Sequence, residues 1–123
     1  TLHRMQSAYG TEGTDVIACI GPGISLDSFE VGDEVYEAFR TENFPMEYIS
    51  VWKPETHKYH IDLWAANRLQ LSDFGVPSRQ IENAGICTYR QHEDFFSARR
   101  LGIKSGRILS GIMLNGQEKG ERK

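Results

Sequence analysis

Between residues 86 and 107 the chain reads ICTYRQHEDFFSARRLGIKSGR. Cys87, His92, Glu93, Asp94 and the arginines that follow are the residue types that do chemistry. A thiolate held by a neighbouring histidine or arginine is a nucleophile. With His92 it would also supply two ligands to a metal, one fewer than a catalytic zinc site needs. No C-x-x-C and no protease-type signature surrounds Cys87, so the residues alone leave two readings: a reactive thiol, or a small buried hydrophobe. Arg99 and Arg100 directly follow Phe95, Phe96 and a serine. A guanidinium beside aromatic rings is partly desolvated and requires an anionic partner or carbonyl acceptors. Glu93 and Asp94 are local partners; a ligand phosphate or carboxylate is the alternative.

Two further places carry candidate chemistry. GPGIS follows the short apolar run DVIACIG, and its glycines, Gly21 and Gly23, flank a proline in a tight turn after a strand. Such a turn can offer backbone N–H groups to an anion, although the dinucleotide and P-loop patterns are absent. His57 and His60 stand three apart, a metal-binding spacing on a helix. Here they lie in an extended segment and need not face the same way.

These residues are positioned by a mixed set of elements. Leu2, Met5 and Tyr9 share one helix face, and Gly10 closes that helix. A second helix begins near Gly32 or Asp33, with Val35, Ala38 and Phe39 on its apolar side. EYISVW, residues 47–52, has strand composition. The best-defined element runs from an N-cap at Asp62 to Gly75 and Pro77. Leu63, Trp64, Ala66, Leu71 and Phe74 share its apolar arc. Asn67 and Gln70 also fall in that arc, where they would either hold a neighbouring loop or border a substrate pocket. Leu69 falls outside it and needs another contact. Residues 79–90 read as short strands broken at Gly85, residues 94–100 as a turn or short helix, and residues 106–115 as a final apolar strand. Irregular alternation of helices and strands implies an α+β or mixed α/β layer, in one domain over residues 1–115 followed by a polar, disordered tail, 116–123.

The bulk numbers exclude several classes. The chain has 123 residues and a net charge of −3, so there is no electrostatic case for nucleic acid or an anionic membrane. No apolar run approaches the roughly 20 residues of a membrane span. Two cysteines, Cys19 and Cys87, make no disulfide framework and fit reduced, buried thiols in a cytoplasmic protein.

Three stretches, IGPGISLDSFEVGDEVYEAF, KYHIDLWAANRLQL and CTYRQHEDFFSARRLGIKSGR, occur in the order and spacing of the peptidoglycan editing factor family, also known as YfiH-type or multicopper polyphenol oxidase (laccase-domain) proteins. The resemblance covers nearly the whole chain and places it as the C-terminal half of such a protein. It implies an α/β sandwich-like single domain and a metal, zinc or copper, held by two histidines and a cysteine. One of those histidines lies in an H-x-G-W-R-G motif. None of the ligand motifs occurs here, so the resemblance carries no metal ligand onto His3, His57, His60, His92, Cys19 or Cys87. The missing N-terminal half becomes the expected partner. Activities implied by the family are purine nucleoside phosphorolysis with adenosine deamination, removal of a wrong L-serine from a peptidoglycan precursor, and phenol oxidation. A site of three ligands with an open position fits hydrolytic or phosphorolytic chemistry better than multicopper oxidation. The small-molecule substrate is then a nucleoside, a peptidoglycan precursor or a phenol. On this reading Arg99 or Arg100 contacts a phosphate or carboxylate, Phe95 or Phe96 stacks on a base or phenol ring, the Gly21–Gly23 turn offers backbone N–H donors, and Asn67 lies on the helix face that borders the pocket. A non-catalytic structural or interaction module is the alternative.

Overall fold

The computed structural model describes residues 1–113. In chain order its elements are α1 (Leu2–Tyr9), β1 (Ala18–Ile20), β2 (Glu30–Val31), α2 (Asp33–Thr41), α3 (Met46–Ile49), β3 (Ser50–Lys53), β4 (Lys58–Ile61), α4 (Leu63–Phe74), β5 (Ile81–Asn83) and α5 (Ala98–Leu101). Two small sheets result. β1 pairs in parallel with β5, Ala18 opposite Ile81, while β4 lies between β2 and β3 in an antiparallel sheet. This is the expected α+β arrangement.

Helix α4 is the hinge of the packing. Asp62 caps it, its carboxylate accepting from the Ala65 N–H at 3.0 Å, and Gly75 ends it at φ 107°. One side of α4 presents Leu63, Ala66 and Leu69 to a core of Val31, Met46, Ile49 and Ile61. The other side presents Trp64, Leu71 and Phe74 to Ile20, Val76 and Ile81. A helix held between two clusters needs apolar residues on both sides, which is where Leu69 finds its contact.

Several sequence expectations change. Residues 47–49 belong to the single helical turn of α3, and the strand starts only at Ser50. On α2, Ala38 is exposed, and Tyr36 packs with Val35 and Phe39 in its place. Residues 106–113 form no strand: Leu109, Ile112 and Met113 are 96%, 102% and 85% exposed. β composition supplies the material for a strand but not the partner whose hydrogen bonds make one. The rest of that expected strand and the expected tail lie outside the described residues. Among the described residues no helix is long and apolar enough to cross a membrane.

Candidate functional site

An open groove of about 1020 Å³ lies among the described residues. The turn after β1 and one side of α4 form its walls, Gly21, Gly23 and Ile24 on one and Trp64, Asn67 and Gln70 on the other. Both amides are exposed, and neither holds a neighbouring loop by a hydrogen bond among the described residues. Asn67 and Gln70 thus line this groove and, among the described residues, do not hold a neighbouring loop. Cys19 also faces the groove and is exposed, against the expectation of a buried thiol.

The turn is anchored from behind. Gly23 bridges to Cys87: its N–H donates to Ile86 O at 3.1 Å, and its carbonyl accepts from Thr88 N–H at 3.1 Å. With the Gly23 N–H engaged and no N–H on Pro22, the turn contributes wall surface more than an anion cradle.

Cys87 is buried, at 6% exposure. Its sulfur accepts from the Ser25 N–H at 3.3 Å and the Ser25 hydroxyl at 3.2 Å, and its own S–H points to the Ser28 hydroxyl at 3.7 Å. Burial pushes the thiol up. Hydrogen bonds from the Ser25 side chain, the Arg90 backbone, the Ser25 backbone and Ser28 outweigh it and bring the thiol from 9.0 to about 7. Cys87 is thus a buried residue, as one of its two readings held, and one whose sulfur is engaged in hydrogen bonds. Ser25 and Ser28 escaped sequence reasoning, since nothing local announces a contact across 62 residues. The same loop is pinned by His60, whose Nδ1 lies 2.9 Å from Leu26 O, and by the Arg90–Asp27 ion pair at 3.0 Å.

The remaining expected site residues lie apart from the groove; none of Phe95, Phe96, Arg99 and Arg100 lines it. Arg99 stands over the Phe29 ring at 5.2 Å and donates to Glu30 O at 2.6 Å. Arg100 stands over Tyr89 at 4.9 Å. Neither pairs with Glu93 or Asp94 among the described residues. A carbonyl and aromatic faces replace the local anion, an arrangement open to guanidinium groups. Phe96 is 56% exposed, with its ring against Gly106.

The residues present do not fit a metal centre. Among the described residues no three His, Cys, Asp or Glu side chains are grouped to hold an ion. His60 is engaged with Leu26 in β4, while His57 sits in the turn before it at φ 56°.

Comparison with known proteins agrees with the motifs. Residues 1–115 match the family model of multi-copper polyphenol oxidoreductase laccase. The chain is 67% identical over 115 residues to a purine nucleoside phosphorylase of Bacteroides thetaiotaomicron, covering 94% of this chain and 43% of the relative. It is 53% identical over 95 residues to adenosine deaminase RL5 of an unknown prokaryotic organism, covering 77% of this chain and 36% of that protein. The crystal structure of YlmD from Geobacillus stearothermophilus superposes with a TM-score of 0.68 at 34% identity, over 80% of this chain and 37% of that one. Bacillus licheniformis YfiH superposes with a TM-score of 0.69 at 30% identity, over 79% and 37%. The chain spans less than half the length of these relatives. It belongs to the multi-copper polyphenol oxidoreductase laccase family, whose YfiH-type fold it shares.

Proposed function

We propose that these residues form one wall of the substrate site of an enzyme that acts on purine nucleosides, by phosphorolysis or deamination. The observation that carries the reading is the pair of uncommitted amides, Asn67 and Gln70, beside Trp64 in the groove. A carboxamide offers a donor and an acceptor together, which matches the edge of a purine base. The indole and the apolar wall beside it suit a flat ring. The two relatives named for purine nucleoside chemistry support the same class.

The metal ligands, for zinc or copper, come on this reading from the part of the domain outside these residues. Arg99, Arg100, Phe95 and Phe96 form a second surface, and their contact with a phosphate or carboxylate requires that part to close over them. The test is an assay of the whole polypeptide with inosine plus inorganic phosphate and, separately, with adenosine. Turnover reduced by Asn67→Ala supports the reading. A folded, metal-loaded protein inert toward both nucleosides overturns it.

A further inference from the structure

We propose that Cys87 is a positioning residue: its sulfur, held by Ser25 and Ser28, sets the stance of the 21–24 lip against Trp64. The proposal deepens the groove reading, because this lip is one wall of the groove.

Three observations carry it. The first is the hydrogen bonding already described. Ser25 gives Cys87 both its N–H and its hydroxyl, so the sulfur fixes the backbone immediately after the lip and one side chain with it. The second is the pair of backbone bonds from Gly23 to Ile86 and Thr88, which flank the cysteine on both sides. Lip and cysteine therefore move together or not at all. The third is Trp64. Its Nε1 is the one buried side-chain donor or acceptor without a hydrogen-bond partner among the described residues. It stands 3.4 Å from where a β-carbon on Gly23 would be. A buried orphan donor costs free energy until an acceptor reaches it. A shift of the lip changes which atoms can do so.

A sulfur that accepts two hydrogen bonds holds them more strongly as thiolate than as thiol. The lip's stance is thus tied to one proton. The charged and titratable groups on the segments that meet here are Asp27 and Arg90, paired with each other, His60 on β4, bonded to Leu26, and Tyr89 and His92 beyond the cysteine. None of these is a hydrogen-bond partner of the sulfur through its side chain.

The experiment follows the Ser25 amide and the Trp64 indole N–H by NMR in the whole polypeptide between pH 5.5 and 9, with hydrogen exchange over residues 20–28. Both resonances are expected to titrate together with a midpoint of about 7. Cys87→Ser is expected to abolish the titration while keeping most of the exchange protection, since its hydroxyl still accepts. Cys87→Ala is expected to raise Ser25 amide exchange on the order of tenfold. A titration that survives Cys87→Ser arises from another group and overturns the proposal. So does unchanged Ser25 exchange in a folded Cys87→Ala protein. If Cys87→Ala fails to fold, Ser25→Ala supplies the same readout at Trp64. These signals need no substrate, so loss of the nucleoside reading leaves this test standing.

Discussion

Gly13 and Gly75 meet backbone to backbone: a β-carbon on Gly13 would lie 2.3 Å from the Gly75 carbonyl carbon. The contact joins the short turn before β1 to the end of α4, and so ties together the two walls of the groove. Gly75 is itself held at φ 107°, ending the helix in a conformation that side chains disfavour.

Gly13→Ala is therefore expected to destabilise the fold by about 1–3 kcal/mol, because backbone must move to admit the methyl group. Gly21→Ala is the control, since a β-carbon there meets nothing within 4 Å; its expected change is within about 0.5 kcal/mol. Urea unfolding of both variants checks the contrast.

Removing the cap of α4 should cost less. Asp62 accepts from Ala65 N–H at 3.0 Å, and Asp62→Ala is expected to lower stability by about 1 kcal/mol. Asp62→Asn keeps an accepting oxygen and should recover most of the loss. Thermal unfolding of the three proteins, with helicity followed by circular dichroism, separates these outcomes.

How much of this was legible beforehand follows the range of the forces involved. The cap at Asp62, the stop at Gly75 and the break at Gly85 are local backbone chemistry, and each is where the sequence placed it. Residues 47–49 misled because a β-rich hexamer also holds one helical turn, in which Ile49 is fully buried by its neighbours. Residues 106–113 misled because a strand is a relation between two segments. The groove was half legible: Asn67 marked α4 as a candidate wall, yet nothing put Gly21 and Gly23 opposite it. The Arg99 contact with Phe29 and Glu30 and the serines around Cys87 are contacts between distant residues, which periodicity cannot announce.

Stability should rise with pH where the Cys87 thiol titrates. Its folded value, about 7, lies below the ordinary 9.0. Between the two the unfolded chain binds more protons than the folded one, so alkali favours the fold. The contribution is fully present above about 9 and is lost as pH falls to about 7, with a slope of at most about 1.4 kcal/mol per pH unit. Comparing the pH dependence of urea unfolding in the native sequence and in Cys87→Ser isolates it. A slope that is identical in the two proteins contradicts the assignment.

Arg99 and Asn67 predict opposite patterns when stability and kinetics are measured together. Arg99 stands on Phe29 and bonds to the Glu30 carbonyl at 2.6 Å. Arg99→Ala is thus expected to cost about 1 kcal/mol of stability whether or not a substrate touches it. Asn67 is exposed and its side chain makes no hydrogen bond among the described residues, so Asn67→Ala should leave unfolding within about 0.5 kcal/mol of the native protein. In the whole polypeptide the same variant should raise KM for inosine and for adenosine on the order of tenfold, the loss of one or two hydrogen bonds to the base. Arg99→Ala should instead raise KM for phosphate and leave adenosine deamination near its native rate, because only phosphorolysis binds that anion. A change in kcat/KM shared equally by both reactions would place Arg99 in structural support, its contacts with Phe29 and Glu30 being sufficient reason for the loss.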